Sequence, residues 1–196
     1  MKHVLREMGA VPVTLLGVLS LANAADKPPT TAPGILPSGF GESTDQAVGQ
    51  LRAATAPFRS AKAAVAAGYG ATTSCVENPS QGGMGLHYDN LALRDATLDV
   101  QKPETLVYEL LPDGSVKLNG VEFIVPIAAW NKDEAPTIMG QKLKRSDSLG
   151  FWYLHVWNWG ANPSGLFADW NPLVKCRKTE KTPAGEHSHE PPPAAK

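Results

Sequence analysis

The sequence predicts an α+β fold, in which an N-terminal helix packs on a mostly antiparallel β-sheet within a single domain. Three observations predict it. A helical stretch near residues 44–67 precedes every strand-like segment. Pro112-Asp113-Gly114-Ser115 joins two apolar runs, 105–111 and 116–125, in the manner of a hairpin turn. The aromatic run at 150–160 adds one more strand, rich in ring and β-branched side chains. At 196 residues the chain is long enough to bury one sizeable core.

Residues 1–24 read as a secretory signal: basic Lys2 and Arg6, an apolar run from Gly9 to Leu21, then Ala22-Asn23-Ala24 as the cleavage pattern. The run is short for a membrane span, and no later segment is longer, so no membrane span is expected after cleavage. Residues 25–42 are rich in Pro, Thr and Gly and read as a flexible linker. The globular domain is expected over 43–176, followed at 177–196 by a disordered, polar and proline-rich tail.

Ser43 and Gln46 fit a capping box for the helix, and Gly68 fits its stop. Val48, Leu51, Thr55, Phe58 and Val65 fall on one stripe, while Pro57 should kink or split the helix. Gln81 to Tyr88 holds glycines at 82, 83 and 85, which permit positive φ and close backbone approach. The GK[ST] ending of a phosphate loop is missing there. Residues 126–148 carry scattered charges and read as a long surface excursion. In the last strand, alternation sets Phe151, Tyr153, His155 and Trp157 on one face and Trp152, Leu154 and Val156 on the other. Both faces are bulky, so this strand is expected to be central and covered on both sides.

Charge is nearly balanced, with 18 basic against 19 acidic residues. No basic stripe appears, which argues against nucleic acid as a partner. Export places Cys75 and Cys176 in an oxidising compartment, where two distant cysteines most simply form one disulfide. His87, Glu109, Glu122 and His155 are ionisable groups within apolar or glycine-rich segments. Burying an unpaired charge is costly, so such groups are paired or bound to metal. Two imidazoles and two carboxylates suit a divalent metal such as Zn, Mn or Fe. The expected site is a pocket for a metal ion or small ligand, lined by Tyr88, Tyr153 and Trp157. A wider aromatic groove would add Trp159 and Trp170.

A metal-dependent hydrolase or oxidoreductase would use the same residues. No GxSxG elbow, HExxH or CxxC spacing supplies a more specific chemistry, and Ser164 sits in a turn tetrapeptide. His187 and His189 form a weak metal-binding tract in the tail. A non-catalytic periplasmic or cell-surface interaction protein is the third class, with its aromatics facing a partner.

Several blocks carry a resemblance: Ala66-Ala67-Gly68-Tyr69, Gly82-Gly83-Met84-Gly85-Leu86-His87-Tyr88, Val121-Glu122-Phe123, Leu154-His155-Val156-Trp157 and Asp169-Trp170-Asn171-Pro172. Together they resemble a family of small exported bacterial proteins over roughly residues 50–176. The resemblance implies export and a single-domain architecture, and it carries no mechanism.

Overall fold

The computed structural model describes residues 37–176. The expected signal segment, most of the linker and the tail with His187 and His189 lie outside those residues. Helix α1 spans Glu42–Thr55, a 3-10 turn follows at Ala56–Arg59, and α2 spans Ala61–Ala66. Pro57 lies in that turn and removes a backbone donor, and of the two expected effects, kink or split, the helix shows the split. The break also resets the helical phase. Ala64 takes the buried position of α2, and Val65, expected on the stripe, is 58% exposed.

The capping box is not formed. Gly41 caps α1 at φ 97° without a side-chain bond, and Gln46 instead donates to Glu42. The acidic pair Glu42 and Asp45 occupies the first turn, where it complements the helix dipole. Gly68 follows α2 at φ 93°, as a C-terminal stop requires.

Among the described residues nine strands follow: β1 Gly70–Ala71, β2 Val76–Asn78, β3 Gly82–Asp89, β4 Thr105–Leu110, β5 Val116–Pro126, β6 Thr137–Ile138, β7 Gln141–Lys142, β8 Lys144–Ser146 and β9 Phe151–Val156. The main sheet runs β1-β3-β4-β5-β9-β8, with β2 also on β3, and every pairing is antiparallel. The hairpin β4–β5 forms at the expected place, with Gly114 at φ 81°. β9 is next to the edge rather than central, because β8 pairs along its outer side. Its first three residues are accordingly only half-buried.

The surface excursion over 126–148 is corrected as well. It carries the β6–β7 hairpin and edge strand β8, and it sends Ile138, Met139 and Leu143 into the core. Met139 and Gly140 both have positive φ, 52° and 72°, the backbone of a two-residue type I′ turn. Strands two or three residues long leave no readable alternation. The 82–89 stretch, left unassigned above, is β3. Its glycines serve the chain's own packing: a Cβ on Gly85 would stand 2.3 Å from the carbonyl oxygen of Tyr108.

The two sheet faces differ in chemistry. Leu106, Tyr108, Val121, Phe123, Val125, Leu154 and Val156 project toward the helices and meet Val48, Leu51 and Ala64. Leu51 and Phe123 are fully buried and contribute on the order of 2–3 kcal/mol each by area. The opposite face carries a smaller apolar patch of Val107, Trp157 and Val174, and beside it stand the ionisable residues.

The segment after β9 returns across that second face. The Trp157 amide donates to the Leu166 carbonyl, and Gly83 and Asn171 exchange backbone bonds. The Cys75–Cys176 disulfide forms as expected and closes a separation of 101 residues.

Candidate metal centre

Register decides which residues meet. Asp89 of β3 pairs with Thr105 of β4, Thr105 with Glu122 of β5, and Glu122 with His155 of β9. These four side chains therefore lie in one row across four strands on the face away from the helices. His87, two residues before Asp89, shares that face and reaches Glu122 diagonally.

His87 Nε2 lies 3.8 Å from Glu122 Oε2, and His155 Nδ1 lies 3.7 Å from Glu122 Oε1. One carboxylate thus stands between two imidazoles. All three residues are buried, and their donor atoms lie within 4.8 Å of one another. The group can hold a metal ion. Contacts of 3.7–3.8 Å are too long for hydrogen bonds. They lie a few tenths of an ångström above the edge of about 3.4 Å for a tetrahedron with bonds near 2.1 Å.

The surroundings of the two histidines differ. His87 Nδ1 is engaged by Thr73 Oγ1 at 3.2 Å, which leaves Nε2 directed at Glu122. An oxygen partner on the far nitrogen is the usual support of a ligating histidine. His155 is 2% exposed, and neither ring nitrogen has a hydrogen-bond partner among the described residues. Tyr153 and Trp157 flank it on the same face, with ring centroids at 6.0 and 6.5 Å.

Asp89 is fully engaged elsewhere. It accepts from Thr72 (2.6 Å), Thr105 (2.7 Å) and Arg94 (2.7 Å). Asp169 approaches from the returning segment: its Oδ1 lies 3.8 Å from His155 Nδ1 and accepts from Lys144 Nζ at 2.5 Å.

Burial, with the neighbouring His155 adding to it, pushes the His87 imidazole down to about 4. It is therefore neutral near pH 7 and ready to ligate. Burial raises the Glu122 carboxyl, and the adjacent His155 opposes that rise. Burial would raise Asp169 too, but the nearby His155 and the bond from Lys144 outweigh it and leave this carboxyl below its ordinary value.

Of the expected ligands, the fold brings His87, Glu122 and His155 together. Glu109 lies toward the hairpin end of β4, where it accepts from Asn119 and faces Lys117 at 4.0 Å. Of the expected aromatic lining, Tyr153 and Trp157 share the face of His155. Tyr88 lies on the helix face, packed on Tyr108 at 4.8 Å, because adjacent strand residues point oppositely. Trp159 also packs toward the helices and carries Arg52 over its ring at 4.8 Å. Sequence reasoning missed Asp169, Asp89 and Thr73. Asp169 stood within the Asp-Trp-Asn-Pro turn, and that turn signal gave no sign of its position beside His155.

No family model, curated protein or solved structure matches this chain. No described helix is long and apolar enough to cross a membrane.

Proposed function

We propose that the protein binds a divalent transition metal through His87, Glu122 and His155. One observation carries this reading. His155 is buried with both ring nitrogens unpartnered among the described residues, and Nδ1 faces a carboxylate that a second imidazole also faces. A core histidine normally satisfies at least one nitrogen, because a buried polar group without a partner costs about 1–3 kcal/mol. A metal ion at the centre of the three donors would partner Nδ1, the nitrogen that faces Glu122.

Two imidazoles and one carboxylate suit Zn, Mn or Fe. Three protein donors leave coordination positions free, which is the arrangement of catalytic rather than closed structural sites. That favours, as a second reading, a metal-dependent hydrolase or oxidoreductase, with a small substrate beside Tyr153 and Trp157. Export belongs to the same proposal, supported by the disulfide, by the signal-like pattern of residues 1–24 and by the resemblance to small exported bacterial proteins.

The test is elemental analysis of purified protein after incubation with each metal and removal of excess. The protein carries His187→Asn and His189→Asn so that the tail cannot contribute. About one equivalent of metal, lost in a folded His87→Ala/His155→Ala variant, is the expected result. Absence of bound Zn, Mn and Fe in the parent protein refutes the proposal.

A further inference from the structure

We infer that Asp169 is a second carboxylate of the metal centre, standing at its mouth, with the Lys144 ammonium holding its place until a divalent cation arrives. The inference rests on the metal-binding reading above and adds the route of entry and the competitor at the entrance.

Side-chain exposure rises in one direction: 2% for His155, 8% for Glu122, 22% for Asp169 and 45% for Lys144. A cation approaching from the Lys144 side would meet Lys144 and Asp169 before Glu122 and His155. His155 Nδ1 has two carboxylate oxygens at matching distances, Glu122 Oε1 at 3.7 Å and Asp169 Oδ1 at 3.8 Å. Neither makes a hydrogen bond with it. Asp169 stands outside the three donors that all lie within 4.8 Å of one another, so it would join an ion placed against Nδ1 and Glu122 by turning its side chain inward.

The position of Asp169 is built by its neighbours in the chain. Trp157 donates from Nε1 to the Ala168 carbonyl at 2.6 Å, and Asn162 donates to the Trp170 carbonyl at 3.0 Å. Both peptide neighbours of the carboxylate are thereby tied down, and Tyr153 OH stands 3.5 Å from Oδ2. Charge balance points the same way. With neutral imidazoles, Glu122 alone would leave one positive charge of a divalent ion uncompensated in a buried site. Asp89 cannot supply the difference, because Thr72, Thr105 and Arg94 together hold its carboxylate, whereas the cation partner of Asp169 is the exposed Lys144. Asp169 can.

Lys144 holds the oxygen that faces His155, at 2.5 Å. An ammonium has three donors and no lone pair, so it can stand beside the carboxylate but cannot join a coordination sphere. It competes with the metal for Asp169. The two partners of this ion pair therefore have opposite effects on metal affinity; charges acting only through space give the same signs but fade with salt, whereas the loss from removing a ligating Asp169 persists at high salt.

The experiment measures Zn(II) and Mn(II) affinity by competition with a chelating indicator. It uses the full chain carrying His187→Asn and His189→Asn, alone and with Asp169→Asn or Lys144→Met. Asp169→Asn is expected to weaken binding at least about tenfold. Lys144→Met is expected to tighten it about three- to tenfold at low salt, an effect that shrinks as salt screens the ammonium.

Wild-type affinity in Asp169→Asn, or weaker binding in Lys144→Met, overturns the inference while leaving the three-residue site intact. If Asp169→Asn fails to melt cooperatively, the sign of the Lys144→Met effect decides alone. Failure of the parent protein to bind either metal overturns the metal-binding reading and this inference with it.

Discussion

Replacing His155 with phenylalanine separates a metal ligand from an ordinary core residue. The imidazole is 2% exposed, with both nitrogens unpartnered among the described residues. Leaving such a group buried costs about 1–3 kcal/mol. Phenylalanine removes that cost and keeps a ring beside Trp157, now stacked at 15°. Its extra bulk works against the gain by a similar amount, about 1–3 kcal/mol. The metal-free variant is therefore expected within about 1 kcal/mol of wild type.

In the presence of metal the comparison reverses. An ion at about 100 times its dissociation constant stabilises the native state by about 2.7 kcal/mol. For a domain of this size that raises the melting temperature by about 5–10 °C. His155→Phe should abolish this rise. The assay is thermal and urea unfolding followed by tryptophan fluorescence, with and without Zn(II), for both proteins. A loss of more than about 3 kcal/mol in the metal-free variant would refute the reasoning, because the imidazole would then be making hydrogen bonds that hold the fold.

Three further outcomes are expected. Burial pushes the Glu104 carboxyl up to about 8, against the bond it accepts from the Ile124 amide. Its folded value lies above its unfolded one, so its contribution is complete below about pH 4.5 and is lost as pH rises toward 8. At about 1.4 kcal/mol per pH unit, wild type should lose on the order of 4 kcal/mol across that window. Glu104→Gln should flatten the profile, and parallel urea-unfolding profiles for the two proteins would count against this. Replacing Cys75 and Cys176 with serine should cost on the order of 4 kcal/mol, because the bridge closes a separation of 101 residues. Equilibrium unfolding reads that loss, and a change under about 1 kcal/mol would contradict it. Gly85→Ala meets the Tyr108 carbonyl at 2.3 Å, with φ at 109°. A loss of at least about 3 kcal/mol is expected, measured by the urea midpoint, and an unchanged midpoint would refute the close approach.

Local features were legible in the residues alone. Pro57 breaks the helix wherever it packs, since the missing amide hydrogen is a covalent fact. Pro112-Asp113-Gly114 turns the β4–β5 hairpin for equally local reasons, with Gly114 at positive φ. The alternation of β9 put Tyr153, His155 and Trp157 on one face, and cysteine count with the expected compartment paired Cys75 with Cys176.

Which ionisable groups meet depends on strand register and chain return, which no local pattern carries. Glu109 and Glu122 look alike in sequence, each a carboxylate in an apolar strand. The register of β5 against β4 and β9 sets Glu122 opposite Thr105 and His155. Glu109 falls opposite Lys117, near the hairpin turn. A one-residue slip would exchange inward and outward side chains, and nothing within either strand specifies that slip. Asp169 was hidden for the same kind of reason. Its neighbours in sequence form a turn, and its neighbour in space, His155, is reached only because the segment after β9 folds back across the sheet.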